Sequence, residues 1–509
     1  MVIVGGGTAG WMAAAAFARF LESGWEIRLV ESDAIGTVGV GEATIPQIRL
    51  FNAALGLDED AFLKATQGSI KLGIEFVDWW RKGHRYMHGF GAVGRDLGLV
   101  PFHHYWRRGR ALGLAGPLAD YCPNVVAAYA DRFERDHGPP GVARQPMPHA
   151  FHFDAGLYAA HLRRYAEARG VLRHEGRIVE VAQDEAGDIA HVLLDDGRRI
   201  DGDLFLDCSG FRGLLIGETL GVGYEEWTRW LPCDRALAVP CAGVRPITPY
   251  TRATAKGWGW QWRIPLQHRT GNGVVYSSAH VSDDEAADVL LAGLDGKALA
   301  EPRPLRFTTG RRTEFWRGNC VALGLASGFL EPLESTSIHL VQSAIERILA
   351  FLPAARPGGG RQVGRPDPRM VAEYNRQSAL EMEQIRDFII LHYKASERDD
   401  SAFWQDCAAM DVPDGLAARI ALFRESGRVF REGNELFTEA GWVQVLLGQG
   451  VEPEGWHPLA ELLSADELGG FLELQARLCR ERAKAMTAHD DFLVGARAAP
   501  ADIFEEMRA

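Results

Sequence analysis

The chain has 509 residues, 47% of them hydrophobic, and a formal net charge of −13. That length can bury a substantial core in more than one structural region, and the acidic balance argues against a nucleic-acid backbone or an anionic membrane as main partner, since both recruit basic patches. Seven scattered cysteines form no CxxC pair and no metal-ligand cluster, so no disulfide framework or metal site is expected, and a reducing, cytoplasmic setting is.

Residues Met1 to Val4 read as a short buried strand, Gly5 to Gly10 as a tight turn, and Trp11 to Leu21 as an alanine-rich helix. A second strand, Glu26 to Val30, completes a βαβ opening. The apolar start lacks the basic leader of a signal peptide, and no segment reaches the roughly 18–20 apolar residues of a membrane span. A helix is expected from Asp154, its cap, to Arg169. Alternating segments up to Leu206, with turns at Asp184–Gly187 and Asp196–Gly197, predict a β-meander. A buried strand, Cys320 to Leu323, leads through glycines and Pro332 into a helix from Ile338 to Phe351. The stretch Pro353 to Pro368, rich in proline, glycine and arginine, reads as an exposed connection. Beyond it, helical periodicity marks Met370–His392, Leu416–Glu425, Ala465–Gly470 and Phe471–Met486.

The segment VIVGGGTAGWM sets Gly5, Gly7 and Gly10 in GxGxxG spacing between a strand and a helix, with Thr8 and Ala9 inside the turn. Glycines there let backbone N–H groups approach a pyrophosphate at the positive end of the helix. Glu31 ends the second strand 21 residues after Gly10, where a carboxylate accepts from ribose hydroxyls and disfavours a 2′-phosphate. Two more strand ends favour FAD over NAD: LFLDCSGFRG, with Asp207, and NCVALGLASGFLEPLEST, with Gly324 and Leu325. Both can return to the dinucleotide and receive the isoalloxazine, and no second strand-linked GxGxxG serves a nicotinamide. The expected fold is α/β: a GR-type, Rossmann-like FAD-binding body over residues 1–352 with an inserted β-rich region. A connection over 353–368 and a mostly helical part over 369–509, covering the substrate site, complete it.

Four motifs carry a family resemblance: GGGTAGWM at Gly5–Met12, GVGEATIP at Gly39–Pro46, GWQWRIP at Gly259–Pro265 and FLEPLEST at Phe329–Thr336. In them the chain resembles the flavin-dependent tryptophan halogenases, over nearly its whole length and more weakly toward the C-terminus. The resemblance implies that reduced FAD, supplied by diffusion from a separate reductase, oxidises chloride or bromide with oxygen. It implies that Lys71, in GSIKLGIEF, holds the hypohalous species or a haloamine, and that Glu334 assists transfer to an electron-rich aromatic ring.

An amine is nucleophilic only when unprotonated, and burial lowers a lysine pKa enough to make that form accessible. Glu334 could orient the oxidant or take the ring proton. The ordinary alternatives are a surface lysine and a helix-start carboxylate. By the same resemblance, backbone N–H groups of Thr336 and Ser337 hold halide, although Ser337 stands where well-known tryptophan halogenases have glycine. Side-chain capping by Ser335 or Thr336 is the plain rival reading.

The segment with Gly39, Gly41, Glu42 and Ala43 resembles a mobile strap over flavin, with a plain loop as its rival. Trp260 and Trp262 resemble the partition that keeps substrate from flavin, with core packing as theirs. His88 and Phe90 match residues flanking the substrate ring, and Trp442 belongs to its cover. Around Trp442 the sequence NELFTEAGWVQVLLGQG is shorter than in tryptophan-specific members and lacks an amino-acid clamp. An indole-like substrate, free or part of something larger, is therefore expected over free tryptophan. The competing activity is direct hydroxylation by a flavin monooxygenase, and a third reading is a flavin-binding scaffold without turnover. The assembly is expected to be a monomer or homodimer.

Overall fold

The computed structural model describes residues 1–21, 24–34, 41–137, 145–352 and 367–497. Its centre is a six-stranded sheet in the order Leu172–Glu175, Arg28–Glu31, Val2–Val4, Phe205–Asp207, Cys320–Ala322, Trp316–Arg317. The first five strands run parallel and the last antiparallel. Val2, Ile3 and Val4 are buried without alternation, as a strand covered on both faces must be. The helix Thr8–Phe20 buries Ala13 through Ala16, whose small side chains admit close neighbours, and it packs against Ala155–Glu167 and Ser337–Ala350.

Asp154 caps the Ala155–Glu167 helix as expected, accepting from the amides of Gly156 and Leu157. The predicted meander is narrower than its pattern implied. Only Ile178–Gln183, Ile189–Leu194 and Arg199–Asp201 form it. The flanking segments join the main sheet, because the Ala155–Glu167 helix is a crossover that returns Leu172–Glu175 parallel to Arg28–Glu31.

A seven-stranded sheet, running from Arg303–Arg306 at one edge to Gly73–Val77 and Arg85–Gly89 at the other, supplies the inserted β-rich region. Against the seven-stranded sheet, Gly41–Ala43, Ala150–Asp154 and Ser69–Lys71 form a three-stranded sheet. The C-terminal region is mostly helical. Ala465–Ala485 is one continuous helix rather than two, since a Ser464–Glu467 capping box starts it and Leu468, Leu472, Ala476, Cys479 and Ala483 form one buried stripe across Gly469–Gly470.

Helices at Ala402–Ala409, Glu439–Gly448 and His489–Arg497 were not expected. Glu439–Gly448 buries residues around its circumference, so it has no amphipathic period to detect. The main apolar core runs from Ile3 and Phe17 through Leu72 and Trp260 to Phe388 and Trp442, joining the sheets to these helices. Of the expected exposed connection, residues 353–366 lie outside the described residues. Among the described residues no helix is long and apolar enough to cross a membrane.

Candidate active site

The glycine turn is built for close approach. Gly5 has φ +113°, and a Cβ there would lie 2.2 Å from the carbonyl oxygen of Cys208. A Cβ on Gly10 would meet the Gly5 oxygen at 1.9 Å, whereas a Cβ on Gly7 would meet nothing beyond its chain neighbours within 4 Å. Gly5 and Gly10 thus press the turn against its neighbours, and Gly7 leaves its front open. No side chain caps the helix that begins at Thr8, so the first-turn amides, Ala9 included, face that opening. These features fit a dinucleotide diphosphate.

Glu31 folds over the turn: a Cβ on Gly6 would fall 1.5 Å from its Oε2, and its Oε1 accepts from Arg173 at 2.5 Å. Gly324, at φ +62°, brings the Gly324–Ala326 turn with Leu325 to Ala9. Asp207 behaves differently from its expected ligand role. Its carboxylate is fully buried and accepts from Ser209 and from the amides of Leu215 and Ile216 at 2.8 Å, so it shapes the local turn instead of facing a cofactor.

Of the strap-like segment, Gly41, Glu42 and Ala43 form a strand paired with Ala150–Asp154, and Gly39 lies outside the described residues. On the other side of Ala150–Asp154 runs Ser69–Lys71. Lys71 is fully buried and donates from Nζ to Ser335 Oγ at 2.7 Å. Its Nζ lies 5.5 Å from the Phe90 ring centroid. Burial pushes the Lys71 amine down to about 7, with Glu334 and then Glu42 opposing the shift. Burial raises the carboxyl of half-buried Glu42 to about 7, with Lys71 pulling it back.

The Lys71 partner sits on a specialised turn. Pro332–Glu334 is a 3₁₀ turn ended by Ser335 at φ +58°, and the helix Ser337–Ala350 follows. Neither Ser335 nor Thr336 caps that helix through its side chain: Ser335 Oγ is held by Lys71, and Thr336 Oγ1 is buried with no partner. The backbone donors at the start, Ser337 among them, are therefore open to an anion on the residues present.

Glu334, three residues before Ser337, is enclosed by two histidines. Oε2 lies 2.9 Å from His88 Nδ1 and Oε1 lies 2.9 Å from His392 Nε2. The second contact is at ion-pair distance but off the line of a hydrogen bond. Burial alone would raise the Glu334 carboxyl; His88 and His392 overcome it and hold the group at about 2.

His88 comes from the strand Arg85–Gly89, which Gln444 grips by bonding both the amide and the carbonyl of Gly89 at 3.1 Å. His392 comes from the helix Pro368–Lys394, with Phe76 packed on its ring at 4.7 Å. Trp260 and Trp262 lie on one face of the strand Gly259–Pro265 with ring centroids 6.0 Å apart. Trp260 is core-packed and donates to Glu331 Oε2 at 2.9 Å, an oxygen that also accepts from Tyr393 at 2.5 Å. Gly273 leaves room for the ring of Trp262.

Trp442 is buried edge-on against Phe388 at 4.7 Å, with the Arg419 guanidinium 4.3 Å from its ring. Phe388 in turn stacks on Phe437 at 3.7 Å. Sequence reasoning did not single out His392, Phe388 or Glu331. Glu331 shares a motif with Glu334, but no local signal marks His392 or Phe388, which lie far along the chain from their partners.

Residues 1–465 match the family model of the tryptophan halogenases. The chain belongs to the tryptophan halogenase family. It is 37% identical to tryptophan 6-halogenase SttH of Streptomyces toxytricini, over 95% of each chain. Among solved structures it resembles Xcc4156, a flavin-dependent halogenase from Xanthomonas campestris, with TM-score 0.93, 52% identity and coverage of 98% of this chain and 99% of that one. BrvH, a flavin-dependent halogenase from Brevundimonas sp. BAL3, aligns with TM-score 0.90 and 45% identity over 97% and 98% of the two chains. Family membership brings flavin and halide use, an aromatic substrate and a separate flavin reductase, and it favours halogenation over direct hydroxylation.

Proposed function

We propose that this halogenase acts on an indole-like, electron-rich aromatic ring, with Lys71 presenting the oxidised halogen to it. The single observation that carries the reading is the isolation of Lys71: a fully buried amine, hydrogen-bonded to a neutral hydroxyl, whose pKa falls to about 7. Such an amine is available in its nucleophilic form near neutrality. The cofactor in this reading is FAD, held by the amides of the Gly5–Gly10 turn, by Glu31, by Gly41–Ala43 and by Gly324–Leu325. When bound, reduced FAD with oxygen supplies the oxidising power that turns chloride or bromide into an electrophile.

The chain's own residues perform the rest. The amides of Thr336 and Ser337 hold halide at the positive end of their helix. Lys71 keeps the oxidised halogen from diffusing away, and Glu334, held between His88 and His392, supports the transfer to the ring. Phe90 offers a flat face to the substrate, and His88 lies at the same site. Trp260 and Trp262 keep it apart from the flavin.

The test is mass spectrometry of indole incubated with the protein, FAD, a flavin reductase, NADH, oxygen and either halide, beside a Lys71→Ala variant. The expected outcome is a halogen isotope pattern that disappears in the variant while flavin binding persists. Halogenation retained by Lys71→Ala would remove the central assignment. Addition of one oxygen without halide would return the reaction to hydroxylation.

A further inference from the structure

We propose that His88 receives the proton that leaves the substrate ring, and that Glu334 acts through it as a positioning residue; the inference rests on the function proposed above and deepens it. Both oxygens of Glu334 already face histidine nitrogens at 2.9 Å, and the side chain is only 1% exposed. On the Oε1 side, His392 is fully buried and its Nδ1 donates to the carbonyl of Phe388 at 2.9 Å, which fixes the ring. A carboxylate enclosed in this way has no oxygen turned toward a substrate.

His88 is arranged differently. A carboxylate can only accept, so the contact to Glu334 places the histidine proton on Nδ1 and leaves a lone pair on Nε2. Among the described residues none hydrogen-bonds that Nε2. It lies against Gly441, where a Cβ would come within 2.9 Å and crowd it, and it is not among the fully enclosed, partnerless atoms. Of the three coupled side chains only His88 keeps appreciable accessible surface, 7% against 1% for Glu334 and none for His392.

Placement agrees with the chemistry. Lys71 is anchored to Ser335 and His88 to Glu334, adjacent residues of one turn, so amine and imidazole are tied to the same short segment. As the halogen held by Lys71 adds to a ring carbon, its bond to the nitrogen of a haloamine, or to the oxygen of a hypohalous acid, breaks with the electron pair staying on that atom; the C–H bond at the ring carbon then breaks and its electron pair restores aromaticity. The proton goes to Nε2 of His88. The resulting imidazolium is stabilised at Nδ1 by the ionised Glu334, a charge-assisted hydrogen bond, and His392, 2.9 Å from the far oxygen, closes that side of the carboxylate.

The experiment follows halogenation of ordinary and ring-deuterated indole by the complete system with bromide, in the unsubstituted protein and in His88→Phe, which keeps an aromatic face but has no base. Flavin binding checks that the variant folds. The unsubstituted protein should show no primary isotope effect, because proton loss is fast. His88→Phe should be slower by on the order of 10²-fold, the usual worth of a positioned base, and should develop a primary isotope effect. Glu334→Gln should slow the reaction similarly, and the double variant should be no slower than His88→Phe alone, as expected of residues acting in series.

An unchanged rate in His88→Phe, a loss without an isotope effect, or losses that multiply in the double variant would each overturn the proposal while leaving the halogenase reading intact. If His88→Phe does not fold, His88→Asn, which can still donate to Glu334 but offers no base, should give the same slowing and isotope effect. Absence of product from the unsubstituted protein, across indole, phenols and pyrroles, would overturn the substrate reading and this inference together.

Discussion

Lys71 is a cation-forming group in a place that disfavours cations. Burial is the larger influence, and Glu334 and Glu42 return only part of the lost stability to the ammonium, so the amine titrates at about 7. If the free amine is the working form, halogenation should rise about tenfold per pH unit below that value and level off above it. A pH–rate profile checks this, and a rate that falls above pH 7 would identify the ammonium as the working form. Because the folded pKa lies below the unfolded one near 10.5, keeping Lys71 buried costs stability at low pH; the cost is relieved as pH rises from about 7 to 10.5. Lys71 and Glu334 were legible through family resemblance. His392 was not, because a histidine inside an apolar helix gives no sign of which distant carboxylate it will meet.

At the scale of elements, the strand–turn–helix opening was readable because its glycines have local causes. Those causes differ, and the difference is testable. Gly10→Ala puts a methyl 1.9 Å from a backbone oxygen, and should destabilise the fold and lower its melting temperature. Gly7→Ala meets nothing beyond its chain neighbours within 4 Å, so its melting temperature should stay near that of the unsubstituted protein while flavin affinity falls about tenfold or more. Equal effects on melting temperature from the two substitutions would contradict the division of labour in the turn. The Pro332–Ser337 segment was harder to read. Its capping hydroxyls seemed available by sequence, but the left-handed backbone at Ser335 turns one of them to Lys71. Glu439–Gly448 went undetected because enclosure on every side erases the period that marks a surface helix.

Across the whole molecule, the C-terminal helices and the β-rich region share one core, and Phe388, Phe437 and Trp442 form an aromatic wall where they meet. Arg419 above Trp442 is paired with both oxygens of Glu435 at 2.6 and 3.0 Å, so it is not free to bind a substrate carboxylate. Indole should therefore outcompete free tryptophan at equal concentration. A competition assay read by mass spectrometry checks this, and preferential halogenation of tryptophan would show that another group clamps the amino-acid backbone.

The amino-acid sequence by itself determined the α/β class, the glycine turn between strand and helix, and the helix with its Asp154 cap. Each depends on residue types at short, regular spacing, which a chain displays without being folded. Only the tertiary structure decided that Asp207 faces inward, that Ser335 takes the Lys71 hydrogen bond, and that two histidines from remote segments enclose Glu334. Those outcomes rest on contacts between residues up to several hundred positions apart, where burial and directional hydrogen bonding, rather than local pattern, select the partner.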